Sequence, residues 1–171
     1  MLSGRIPHFF LYGEPPQRAA DQFLHIEALA ERSRPNNWNI RPHVHRGLHH
    51  LFSITSGRGS VSLDSQTADL TAPFLLLVPS GTVHAFSFSK DADGSVVTIA
   101  DSYLGGLVAR QPALGGLLQA PSWLQPDAED VVAAGLDDAL ARLSHEVVWN
   151  APGHEAAVER SEERRGGKAC R

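Results

Sequence analysis

A chain of 171 residues that is 42% hydrophobic and 20% charged has the apolar content of one globular domain, and none of its apolar runs approaches the ~18 residues of a membrane helix. A formal net charge of −4 argues against a nonspecific nucleic-acid binder, and the single cysteine, Cys170, excludes an intrachain disulfide. The opening MLSGRIPHFFLYGEPP lacks the pattern of a secretory signal, so a cytoplasmic protein is expected.

Residues 1–20 read as irregular because of Pro7, Pro15 and Pro16. Residues 23–30 (FLHIEALA) predict a strand. Asn36-Asn37 supplies a turn, and Trp38 begins the next strand. Residues 48–55 predict an apolar strand that contains β-branched residues. Ser56-Gly57-Arg58-Gly59 turns the chain into an alternation in which Val61 and Leu63 share a face. Asp64-Ser65-Gln66 is a second turn, before a strand over 67–71. Residues 74–78 form a continuous apolar run stopped by Pro79, the profile of a buried strand. In 84–89 large and small residues alternate, which puts His84, Phe86 and Phe88 on one face. Asp91-Ala92-Asp93-Gly94 is a hairpin turn before a last strand over 96–100. Short strands at this spacing predict an antiparallel sandwich or barrel.

Beyond Asp101 the pattern becomes helical. Residues 127–149 carry Val131, Val132, Leu136, Leu140, Leu143, Val147 and Val148 at helical spacing. Acidic residues fall in the first turn, where the helix dipole favours them. Asn150-Ala151-Pro152-Gly153 stops this helix, and another is expected from His154. The last stretch, RSEERRGGKACR (160–171), has five basic and two acidic residues and no aliphatic residue larger than alanine. It resembles translated sequencing-adaptor DNA. It is read as a non-native tail, with the natural chain expected to continue past residue 159.

The histidines carry the chemistry. His43, His45 and His49 are all odd-numbered, so a regular strand places them on one face with Arg41, and His50 on the other. His84 comes from a second strand. Four imidazoles at one point would suit Zn, Fe, Ni or Mn. The same four residues can equally form the polar floor of a ligand cavity without metal, and spacing alone leaves both readings open. Catalysis has little else to mark it: no carboxylate lies in either histidine segment, and no Ser-His-Asp or cysteine nucleophile pattern is present.

His43-x-His45-x3-His49 resembles the first cupin motif, with histidine where the usual glutamate ligand stands. Pro79-x-Gly81-x2-His84 resembles the second, apart from Pro73 near its usual glycine and Phe88 in place of its usual asparagine. A wider set resembles the sensory half of AraC/XylS-family transcription regulators, in the branch that responds to hydroxybenzoate and related aromatic acids. That set is Tyr12-Gly13-Glu14, the segment 27–34 (EALAERSR), Trp38-x-Ile40-Arg41-Pro42-His43-x-His45, Leu77-Val78-Pro79, and the late helix with Trp149-x2-Pro152-Gly153. It covers residues 5–159.

The resemblance implies a mainly β fold: a cupin-type antiparallel barrel (jelly roll) followed by C-terminal helices. The expected division is an effector-binding barrel with its N-terminal arm over 1–105, a helical linker or dimerisation region over 106–159, and the tail over 160–171. It implies a sensor rather than an enzyme. The expected partners are a small-molecule effector, a second copy of the chain, and DNA reached only through a helix-turn-helix region absent from this sequence. Arg41, His43, His45, His84 and Phe86 are the expected effector site, with Arg41 gripping a carboxylate and Phe86 walling an aromatic slot. His43, His45, His49 and His84 are the expected metal ligands. The alternative is a metal-dependent cupin enzyme of dioxygenase or isomerase type.

Overall fold

The computed structural model describes residues 6–15, 23–127, 129–130 and 135–149. The tail 160–171 and the helix expected from His154 lie outside these residues. In chain order the strands are β1 (Leu24–Ala28), β2 (Asn39–His43), β3 (Leu48–Ser56), β4 (Arg58–Leu63), β5 (Gln66–Thr71), β6 (Phe74–Val78), β7 (His84–Phe88), β8 (Asp93–Ala100) and β9 (Ser122–Leu124). They form two antiparallel sheets, β1-β8-β3-β6-β9 and β2-β7-β4-β5, with the cupin-type fold expected from the sequence. Four helices are described: α1 (Leu29–Ser33), α2 (Asp101–Arg110), α3 (Ala113–Leu117) and α4 (Leu136–Trp149).

Alternation builds the interior. β7 buries His84, Phe86 and Phe88 and turns Ala85 and Ser87 outward. β4 buries Gly59, Val61 and Leu63, and β3 buries Leu48, His50, Phe52 and Ile54. Between the sheets Leu63, Leu76 and Val78 are fully enclosed. Each such side chain contributes roughly 1.5–3 kcal/mol of burial free energy. A smaller cluster lies beside the main core. There Phe10 and Leu11 of the N-terminal arm pack on Leu48 and Ala100.

The structure departs from the sequence expectations in four places. The strand expected over 23–30 ends at Ala28, because Leu29 and Ser33 bury one side of the short helix α1. Trp38 precedes β2 instead of starting it. It and Asn37 both have positive φ, and together they reverse the chain after a 3-10 turn at Arg34–Asn36. The helix expected over 127–149 does begin with a cap, since Asp130 N–H donates to Asp127 Oδ1. Gly135 then adopts φ +60°, and α4 starts after it. Finally, β9 went unforeseen. It is three residues long and pairs with β6 at the sheet edge.

Candidate functional site

β2 departs from regular pairing. Ile40 pairs with Phe86 and His43 with His84, so two residues of β2, Arg41 and Pro42, lie opposite one of β7, Ala85. This bulge puts Ile40 and His43 both inside and leaves Arg41 and Pro42 exposed. Bulges and prolines are tolerated on an edge strand, and β2 is one. The expectation that Arg41 shares the inward face of His43 is therefore corrected: Arg41 lies on the outer surface of the barrel.

The chain then passes His45 and turns at Gly47, with φ +77°, a conformation glycine adopts without strain. The turn inverts the strand parity. Leu48 and His50 point inward, and His49 does not. His49 instead lies with Nε2 against the Asp101 carboxylate, while its Nδ1 accepts from Ser80 N–H at 3.3 Å. His49 thus leaves the expected metal set, and His50 comes into the interior in its place.

His43, His45 and His84 do come together. Their candidate ligand atoms lie within 4.8 Å of one another, and all three rings are buried. Each Nδ1 faces a backbone carbonyl: His43 that of Arg41 at 2.8 Å, His45 that of Phe9 at 2.9 Å, and His84 that of Thr82 at 2.8 Å. His43 Nε2 and His45 Nε2 are 3.0 Å apart. Burial, reinforced by the nearby His45 ring, depresses His43 from 6.5 to about 4. Burial likewise lowers His45, and pushes His50 and His84 well below the usual imidazole range. All four are neutral near pH 7. Neutral imidazoles with Nδ1–H tied to carbonyls offer Nε2 lone pairs, the donor set a Zn²⁺-like ion accepts.

These histidines help line a cavity between the sheets, whose volume is about 40 Å³. That is room for a few waters at ~10–15 Å³ each, against the ~150 Å³ that accommodates a benzene-sized guest. Phe52, Phe86 and Phe88 form an aromatic wall. Leu11 and Tyr12 close the cavity from the arm. The Tyr12 ring lies 4.5 Å from that of His43, and the Tyr12 hydroxyl accepts from Arg41 N–H at 3.2 Å.

Sequence reasoning missed the charges that line the same cavity. Arg32 on α1 lines the cavity and sits between two carboxylates, with Nε 2.9 Å from Glu27 and Nη1 2.9 Å from Glu14 of the arm. Burial acts to raise the Glu27 carboxyl, but His25 and Arg32 beside it outweigh burial and hold it below the usual range. Among the described residues lining the cavity, Arg32 is the only guanidinium, and its charge is already met. The spacing of Glu14, Glu27 and Arg32 follows no helix or strand period, so no sequence signal tied them together.

Residues 25–162 match the family described as the AraC-like ligand binding domain. No curated protein sequence matches the chain. Among solved structures it is similar to ToxT from Vibrio cholerae bound to (E)-4-(8-methylnaphthalen-1-yl)but-3-enoic acid, at 14% identity and a TM-score of 0.47, over 70% of this chain and 48% of that one. It is also similar to the Schizosaccharomyces pombe Cnp3 cupin domain, at 15% identity and a TM-score of 0.36, over 42% of this chain and 53% of that one. A cupin 2 domain-containing protein from Halorhodospira halophila gives 17% identity and a TM-score of 0.32, over 73% and 71%. The chain thus spans about half the length of the Cnp3 domain and of ToxT. With a family match over most of its length, the chain belongs to the AraC-like ligand-binding domains.

Proposed function

We propose that this chain is the sensory part of an AraC-type transcription regulator and that its effector is an aromatic acid of the hydroxybenzoate kind. The observation that carries this reading is the cavity between the sheets, lined by aromatic rings, by the histidines, Glu27 and Arg32, and by Leu11 and Tyr12 of the arm. The ring of the acid lies among Phe52, Phe86 and Phe88. Its carboxylate pairs with Arg32, because a buried carboxylate is costly unless paired. To do so it takes the place of Glu14, and the arm moves with Glu14. The cavity enlarges in the same movement, since about 40 Å³ does not admit an aromatic ring. Ligand binding and arm position are then one equilibrium, shifted by the differential affinity of the acid for the two arrangements. The output passes to a DNA-binding region outside this sequence, in a cytoplasmic homodimer.

The test is thermal denaturation with 4-hydroxybenzoate and related acids. The acid should raise Tm, Arg32→Ala should abolish the rise, and Glu14→Gln should enlarge it by freeing Arg32. An acid that binds the wild type with its shift unchanged in both variants would refute the Arg32 assignment. The histidine triad gives a second reading some support, that of a metal-dependent cupin enzyme. Turnover of an aromatic acid by metal-loaded protein would establish it.

A further inference from the structure

His50 differs from the other three buried histidines. His43, His45 and His84 each face a backbone carbonyl through Nδ1. His50 Nδ1 is buried and has no hydrogen-bond partner among the described residues, and the same holds for Thr98 Oγ1. The two residues pair directly across β3 and β8, line the cavity together, and are 5% and 1% exposed. Directly paired residues hold their Cβ atoms about 4.5–5.5 Å apart. Two unmatched polar atoms therefore lie within one cross-strand step, and they do not bond each other. Leaving both unpaired in an interior site is costly, and one suitable atom between them satisfies both.

We propose that His50 and Thr98 read a hydroxyl group of the effector, and so select hydroxylated aromatic acids over acids that lack the hydroxyl. This rests on the aromatic-acid reading above and adds a second polar contact to it. A neutral imidazole has one N–H and one bare nitrogen, and a threonine hydroxyl both donates and accepts. A ligand hydroxyl also does both, so it matches the pair in either tautomer of His50. A carboxylate only accepts and needs a cation, and among the described residues lining the cavity the only guanidinium is that of Arg32. An ammonium needs a carboxylate, and that of Glu27 is already bonded to Arg32. The surroundings fit an aromatic carrier. Phe52 is two residues from His50 on the same face of β3, with ring centroids 6.3 Å apart. Glu27, which holds Arg32, pairs with Val96, two residues from Thr98 on β8. Two residues are roughly 7 Å of strand. A ring with its carboxylate at Arg32 and a hydroxyl para to it spans a step of that size, whereas an ortho hydroxyl bonds its own carboxylate.

The experiment is calorimetric titration of the full chain with 4-hydroxybenzoate, benzoate and phenol. The wild type should bind 4-hydroxybenzoate at least about tenfold tighter than benzoate. Thr98→Val and His50→Leu should bring the two acids within about threefold of each other by weakening 4-hydroxybenzoate alone, and Thr98→Ser, which keeps the hydroxyl, should preserve the preference. Far-UV circular dichroism checks that His50→Leu folds, and the wild-type ratio with the near-isosteric Thr98→Val decides if it does not. Equal affinity of the wild type for the two acids, or a ratio unchanged in Thr98→Val, would overturn the proposal and leave the acid reading standing. Phenol carries the hydroxyl without the carboxylate. Phenol binding that weakens in Thr98→Val, with neither acid bound, would support the pair and refute the acid reading. Failure of all three probes to bind would overturn both.

Discussion

Acid should unfold this protein by a route that its carboxylates do not control. In the folded chain burial depresses His43 from 6.5 to about 4. The unfolded chain takes up the proton first, so stability from the neutral ring is complete above pH 6.5 and is lost as pH falls from there toward 4. Integrated between pH 7 and pH 5, a shift of that size removes about 2 kcal/mol for His43 alone. His45, His50 and His84 are shifted in the same direction and add to the loss. Glu27, held below its usual 4.5, stays ionised over this window and contributes little. The assay is urea unfolding at pH 7 and pH 5 with EDTA present. With a slope of about 1–3 kcal/mol per M, the midpoint should fall by roughly 1 M or more. His43→Gln should show a drop smaller by about 2 kcal/mol. A midpoint that rises toward pH 5 would refute the reasoning. It would mean that His43 and His45 share a proton in the folded state, and that this sharing outweighs burial.

Other substitutions separate the two arginines and test the orphan hydroxyl. Arg32→Met leaves the buried Glu27 with only His25 beside it and should cost of the order of 3 kcal/mol in denaturant unfolding at pH 7, whereas the exposed Arg41→Ala should stay within about 0.5 kcal/mol of wild type. Equal losses in the two variants would contradict the placement of Arg32. Thr98→Val removes a buried hydroxyl that has no partner. In metal-free protein it should be neutral or stabilising by up to about 1 kcal/mol, and a loss of more than that in thermal melts would show that the hydroxyl is already engaged.

The sheet architecture was legible because β4, β6 and β7 obey simple alternation. His84, Phe86 and Phe88 face inward as their spacing predicts. The site was half legible. Alternation fails wherever one residue is inserted or a turn changes parity, and this segment does both within ten residues: a bulge at Arg41-Pro42 and a turn at Gly47. A single slip of this kind carries every following side chain to the other face. That is why Arg41 went outward and why His50, rather than His49, went inward. Arg32 escaped notice for a different reason. It sits on a helical turn of five residues that follows a strand without a break, and only the packed structure brings it beside Glu14 and Glu27.

The arm is attached to the barrel through one of the residues that lines the cavity. Phe9 N–H donates to Val44 O, Val44 N–H donates to Pro7 O, and Phe9 O accepts from the His45 ring. Thermodynamic linkage then runs in both directions. Whatever fills the cavity and repositions His45 changes how firmly the arm is held, and whatever grasps the arm changes the affinity of the cavity by the same factor. A tenfold change at one end is a tenfold change at the other, about 1.4 kcal/mol. A partner that captures residues 6–15 therefore acts as an effector of this domain without touching its interior.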